Sequence, residues 1–424
     1  MTTPSHTGHT RIGRSEATTV LAGAHLPDGR QVDVHVSDGV ITAVETLGRE
    51  RPPGAAIDDL TGFMLLPALA EPHAHVDKAL TADVVHNPTG DLLGAIDGWI
   101  AASKRGQFTH DDIVDRSSRA MEQLVLSGVT AVRSHVNVGE EIGISYLRAV
   151  REARSRFAGI LDVQLVALTA APMTGVDGAG NRAALAEALE LGVDLVGGCP
   201  HLDPDGPQLI GDAIRAATEA GLGLDLHTDE TLDPTMLELR DVARLVMDAG
   251  FDGSVTASHC VSLGMQSPEI QREVAREVAE AGISVVPLPQ TNLFLQGREH
   301  PTATPRGLTA IAALREAGVV VAAGADNVQD PFNLMGRSDP LETAALLVMA
   351  GHVQPDDALH MVSNAVRGVI GLPEVHMRPG DPADLLAIAA PSVRGAIAEA
   401  PHDRRVYRAG RLVARSSSDR TLIR

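Results

Sequence analysis

Two histidines spaced i, i+2 close an apolar run in Pro67-Ala-Leu-Ala-Glu-Pro-His73-Ala-His75-Val-Asp77-Lys78. On an extended strand that spacing turns both imidazoles to the same face. Two neutral ring nitrogens at one strand end are half of a divalent-metal site. Three later runs end in the same kind of group. Leu222–His227 leads into Thr228, Asp229 and Glu230; Ser254–His259 leads into Cys260; Val319–Gly324 leads into Asp326 and Asn327. Histidine and carboxylate donors at four strand ends suit one cation, and a cation that polarises water makes a hydrolytic nucleophile at neutral pH. Hydrolysis also needs a group that carries a proton from water to the leaving group, and Glu230 is placed for it. Read singly, the same residues have blander uses, His227 as a core histidine and Glu230 as a first-turn helix acid. The convergence of ligand type and strand-end position favours the metal.

Such groups need a scaffold that brings distant strand ends together. Eight β-type runs recur along the chain: Phe63–Ala70, Thr130–Val138, Leu161–Leu168, Val193–Pro200, Leu222–His227, Ser254–His259, Ser284–Pro289 and Val319–Gly324. Between them lie amphipathic stretches, Asp111–Ser127, Arg182–Leu191, Gln208–Ala220, Met236–Ala249, Ile270–Ala281 and Thr309–Ala317, several closed by a glycine where helices commonly stop. This rhythm predicts an α/β fold, a (β/α)8 TIM-like barrel over residues 67–374, with chemistry on the carboxyl ends of its strands. The termini read differently, as short strands and turns such as Pro27-Asp28-Gly29 and Ser37-Asp38-Gly39. They predict a small β-sandwich domain formed by both chain ends, residues 17–66 and 375–424. Residues 1–16 read as a loose polar tail.

Composition narrows the function. The formal net charge of -20 opposes nucleic acid and anionic membrane as partners, since both require a positive surface. Two cysteines, Cys199 and Cys260, exclude a disulfide framework and a cysteine-rich metal cluster. No run is long enough to span a bilayer and the N-terminus has no signal-type apolar stretch, so the expected location is cytoplasmic. Lysine occurs only at Lys78 and Lys104, which leaves no mid-barrel lysine to bridge two metals. The expected partner is a small molecule, and a homo-oligomer remains open.

The motifs together resemble the amidohydrolase superfamily and, within it, the cytosine-deaminase-like branch. Glu71-Pro-His73-Ala-His75-Val-Asp77 resembles the first-strand metal motif, Val132-Arg-Ser-His135-Val-Asn137 the second-strand segment, His227-Thr-Asp229-Glu230 the fifth-strand ligand with its glutamate, and Ala257-Ser-His259 the sixth-strand histidine. Asn292-Leu-Phe-Leu-Gln296-Gly-Arg298 and Asp326-Asn327-Val-Gln-Asp330-Pro331-Phe332 are similar to the segments after strands seven and eight. The resemblance implies a distorted barrel with one divalent metal per chain, Zn2+ or Fe2+, held by His73, His75, His227 and Asp326. It implies catalysis by Glu230, His259 and Asp326, with His259 either ligating or stabilising the attacking oxygen. The implied activity is hydrolytic release of ammonia from an aminated N-heterocycle, a pyrimidine, a triazine or a similar ring.

Substrate contacts are expected from His135, Ala171, Gln296, Arg298, Asn327 and Phe332. Three have alternatives: His135 as a structural strand-end residue, Arg298 paired with an acid, and Phe332 packing rather than stacking on a ring. Two departures bear on the substrate. The segment after strand three, Thr169-Ala170-Ala171-Pro172-Met173, lacks the glutamine with which cytosine deaminases read the ring, and Asn327 stands where they carry a second aspartate. Cytosine is therefore expected to be a poor substrate. The rival readings are a cyclic-amide hydrolase on the same barrel and, more distantly, a non-catalytic binding protein.

Overall fold

A computed structural model describes residues 18–49 and 51–423; the tail read over residues 1–16 lies outside the described residues. Seven strands run parallel in chain order: β1 (Leu69–Ala74), β2 (Val129–Val138), β3 (Asp162–Thr169), β4 (Leu195–Gly198), β5 (Gly223–Thr228), β6 (Val255–His259) and β7 (Ser284–Val286). Their apolar residues are buried on both faces, as expected of parallel strands wrapped by helices. The helices follow the expected stretches closely: His110–Leu126, Ala179–Leu191, Gly206–Ala220, Glu238–Ala249, Pro268–Glu280 and Ile311–Glu316. Local chemistry sets their ends. Asp205 and Ser267 accept the N–H of Gln208 and Ile270 at two starts, and Gly221 takes a left-handed conformation just past one end.

Two expectations change. The run Phe63–Ala70 is not one strand. Met64–Pro67 pairs with Leu385–Ile388 in the second sheet, and the barrel strand begins at Leu69. Pro67 has no N–H for a ladder, and the Ala68 N–H turns to the Asp384 carbonyl (3.0 Å), so the chain changes sheets there. The eighth run, Val319–Gly324, together with the residues that follow it to Asp326, forms no regular ladder. It meets its neighbours through single bridges, Val321 with Val285 and Asp326 with Ala74. Bonds from Val285 N–H to Val320 O (3.0 Å) and from Asp326 N–H to His73 O (3.1 Å) nearly close the barrel.

The second sheet joins both chain ends. Thr19–His25, Gln31–Ser37, Val40–Thr46, Ala56–Asp59 and Met64–Pro67 pair with one another and, through Met64–Pro67, with Leu385–Ile388, Arg404–Arg408 and Arg411–Ser416. It has its own core, including Leu21, Val34, Leu65, Leu385 and Tyr407. Asp384, buried beside this sheet, ties Arg367 and Arg408 together. Trp99, from helix Leu92–Lys104, is buried and stacks on Phe108 with ring centroids 4.3 Å apart. No helix among the described residues is long and apolar enough to cross a membrane.

Candidate active site

The carboxyl ends of β1, β5 and β6 and the end of the eighth run meet in one place. His73 lies on β1 and His75 just beyond it; His227 is one residue from the end of β5, His259 closes β6, and Asp326 follows the eighth run. The Nε2 atoms of His73, His75 and His227 form a triangle with sides of 3.3, 3.1 and 3.1 Å. Asp326 Oδ1 lies 3.2 Å from His75 Nε2 and 3.7 Å from His73 Nε2. Four donors around a tetrahedral zinc at its usual bond lengths stand ~3.3 Å apart, so the spacing fits one ion. Hydrogen bonding does not account for the triangle, because each ring nitrogen has one in-plane direction and faces two others. Asp326 Oδ1 is buried and has no hydrogen-bond partner among the described residues.

The protonation states agree. Burial, reinforced by the neighbouring histidines and Lys78, holds His73, His75 and His227 well below the usual histidine range, so each ring is neutral at neutral pH and has one bare nitrogen to offer a cation. Around them are carboxyls that burial pushes up: Glu71 and Glu230 to about 8, Asp330 to about 7, and Asp326 well above its ordinary value, with Glu230 and Asp330 adding to the last. A divalent cation would relieve that surplus of buried acid.

His73 is held from behind. Its Nδ1 is 2.9 Å from Ser258 Oγ, which donates to Asp225 Oδ1 (3.2 Å), and Arg133 donates to Asp225 Oδ2 (2.7 Å). With Nδ1–H donating into this chain, the Nε2 lone pair faces the triangle. His75 Nδ1 lies 3.0 Å from Lys78 Nζ, which donates to Asn137 Oδ1 (2.7 Å). Ser258, Asp225, Arg133 and Lys78 were not among the residues expected from sequence. Asp225 and His227, like Arg133 and His135, are i, i+2 pairs within apolar runs, so the strand period was the available signal.

Glu230 is buried, and its backbone carbonyl accepts from Gln296 Nε2 (3.0 Å). Its carboxylate is 3.6 Å from His259 Nδ1. His259 Nδ1 is 3.1 Å from Asn292 Oδ1; that bond places the ring proton on Nδ1 and leaves Nε2, 3.9 Å from Asp326 Oδ2, as an acceptor. Backbone strain concentrates here, with positive φ at Asp229 (51°), His259 (67°), Cys260 (50°) and Asp326 (69°). Asp229 caps helix Glu238–Ala249 by accepting the N–H of Glu238 and Leu239.

The expected substrate contacts divide. Asn327 is buried and its Nδ2 donates to Asp330 Oδ2 (2.7 Å), while Asp330 also accepts the Phe332 N–H. Phe332 is nearly buried, its ring centroid 5.9 Å from Lys78 Nζ. Gln296 reaches Glu230 through the backbone. His135 is fully buried, stacked on His73 (ring centroids 3.9 Å apart), with Nε2 3.5 Å from Asp225. Ala171 is exposed. Arg298 is exposed too, donating to Phe294 O (2.7 Å) and lying over the Phe294 ring; its charge helps to lower the pKa of Asp91, though no carboxylate among the described residues is within ion-pair distance of it.

A parallel barrel carrying a histidine–aspartate cluster at its strand ends defines a metal-dependent hydrolase class. The chain belongs to the amidohydrolase family, whose sequence model matches residues 107–414, and it is a hydrolase of C–N bonds. A pterin deaminase from Rhizobium rhizogenes is 32% identical over 395 residues, covering 92% of this chain and 89% of that protein. The structure of 5-methylcytosine deaminase from Klebsiella pneumoniae superposes with a TM-score of 0.84 at 25% identity, covering 96% of this chain and 99% of that one. N-isopropylammelide isopropylaminohydrolase from Burkholderia multivorans gives a TM-score of 0.81 at 26% identity, covering 94% and 99%.

Proposed function

We propose that this protein is a mononuclear, divalent-metal-dependent aminohydrolase that releases ammonia from an aminated N-heterocycle. The observation that carries the reading is the triangle of Nε2 atoms with Asp326 Oδ1 beside it. His73, His75, His227 and Asp326 would hold one Zn2+ or Fe2+. When bound, such an ion lowers the pKa of a water toward ~7 and polarises it for attack. Glu230 takes a proton from the attacking water and gives it to the ring nitrogen next to the reacting carbon. His259 accepts a hydrogen bond from the attacking oxygen through Nε2, its Nδ1–H being held by Asn292. A C–O bond forms; Glu230 then carries the remaining hydroxyl proton to the exocyclic nitrogen, the C–N bond breaks, and ammonia leaves with an oxo group in its place.

The substrate we favour is a planar aminated ring larger than cytosine, with a pterin-type bicycle as the first candidate. Near-full-length similarity to a pterin deaminase supports it. So do the sequence, where the segment after β3 has no side-chain amide, and the commitment of the Asn327 amide nitrogen to Asp330. A cytosine edge would leave polar groups unpaired at ~1–3 kcal/mol each. The test is ammonia release by metal-analysed protein from pterin, cytosine, isocytosine and aminotriazines. The expected result is a kcat/KM for pterin at least ~10-fold above that for cytosine. Cytosine as the best substrate would overturn the ring assignment, and ring-opened product without ammonia would point to a cyclic-amide hydrolase.

A further inference from the structure

Two of the proposed ligands, His73 and Asp326, face each other across the seam between β1 and the eighth run, where the barrel has no regular ladder. A side chain closes that seam. Glu71 is 2% exposed. Its Oε1 accepts the His73 N–H (3.1 Å) and its Oε2 accepts the Ala325 N–H (3.0 Å). One carboxylate thus grips the residue that carries a histidine ligand and the residue just before Asp326. The backbone around it is sparsely paired. The register of β1 on β2 shifts between Glu71 and Ala74, and the eighth run meets β1 at a single bridge. The close approach also needs Gly324, where a Cβ would stand 2.2 Å from Glu71 Oε1. Asp326 itself has φ 69°, a conformation that an L-residue keeps only when its surroundings hold it.

We infer that Glu71 is a positioning residue, a carboxylate clasp that takes the place of the missing ladder and sets the spacing between His73 and Asp326. The inference rests on the metal reading above. The clasp needs an acceptor at both ends, which only a carboxylate supplies. Glutamine has nearly the same shape but offers one acceptor oxygen, and its NH2 would face a backbone N–H. Glu71→Gln therefore unfastens one side of the seam without emptying it.

The experiment compares wild type and Glu71→Gln, stripped by a chelator and reloaded with Zn2+ or Co2+. Affinity is read by chelator competition, ligand geometry by the visible spectrum of the Co2+ form, and folding by circular dichroism of the stripped proteins. The expected result is a folded variant whose zinc affinity falls ~10–100-fold and whose Co2+ spectrum is altered. A clasp that served stability alone would lower the melting temperature and leave affinity and spectrum unchanged; that result overturns the inference. If wild type binds no metal, the aminohydrolase reading fails and takes the clasp with it. If wild type binds metal and the variant binds it equally, only the clasp fails. Should the variant not fold, hydrogen exchange on loaded wild type decides: slow exchange at the Ala325 amide supports the clasp, and rapid exchange there beside a protected β7 refutes it.

Discussion

Replacing Glu230 by glutamine separates proton transfer from everything else the residue does. Its backbone carbonyl, which accepts from Gln296, is untouched, and the side chain keeps its size in a buried position. The four proposed metal ligands are unchanged, so fold and metal content should match wild type. What disappears is a carboxylate 3.6 Å from His259 that can take and return a proton. General acid–base catalysis of this kind contributes ~10²–10⁴-fold, equivalent to ~3–5 kcal/mol of barrier. The pH profile adds a second readout. Burial raises the Glu230 carboxyl to about 8. It acts as a base only when ionised, so wild-type kcat should rise with pH through the folded-state pKa, and a bound cation draws that midpoint below about 8. The assay is ammonia release under saturating substrate from pH 5 to 9, with metal content measured on the same samples. The expectation is a loss of at least ~100-fold and disappearance of the acid limb. A fully loaded variant with kcat within about threefold of wild type would remove Glu230 from the mechanism.

Other perturbations follow from particular contacts. Ser258→Ala cuts the link from His73 Nδ1 to Asp225; zinc affinity in a chelator titration should fall ~10-fold or more, and an unchanged affinity would show that His73 needs no such support. Arg298→Ala should leave kcat/KM within about threefold of wild type, since that side chain is exposed and bonded to the carbonyl of Phe294; a tenfold loss would restore it as a substrate contact. Asp384→Ala strands the buried Arg367 guanidinium and weakens the hold on Arg408, so urea unfolding should show a loss of ~3–5 kcal/mol. Burial works against ionisation of Asp384, yet Arg408 and Arg367 hold its carboxyl below the usual range. Its depressed folded-state pKa means that this contribution is complete above ~4 and is lost as pH falls through the folded value.

The candidate ligand set was legible because strand periodicity is two. His73 and His75 had to share a face, and each other candidate closed an apolar run, where barrels place their chemistry. The supporting shell obeys the same period but is harder to read. Asp225 sits in Leu-Asp-Leu-His and Glu71 two residues before His73, and a lone acid in an apolar run does not announce its partner. Ser258 and Arg133 gain meaning only when the barrel brings side chains of β2 across to those of the neighbouring pair β5 and β6. The eighth run, Val-Val-Val-Ala-Ala-Gly, has strand composition, yet single bridges, a few backbone bonds and a side chain hold its seams in place of a regular ladder. A sequence pattern carries no record of who pairs with whom. Direction was lost in the same way: Gln296 and Arg298 lie in one segment, but one reaches the backbone of Glu230 and the other folds back on Phe294.

The most direct test of the central claim is anomalous X-ray diffraction from crystals of the metal-loaded protein, collected on either side of the zinc or iron edge. The account predicts one peak per chain among His73 Nε2, His75 Nε2, His227 Nε2 and Asp326 Oδ1, ~2.0–2.2 Å from each. Two peaks at that site, or a peak bound elsewhere with these four side chains turned away from it, would contradict a mononuclear centre built by these residues.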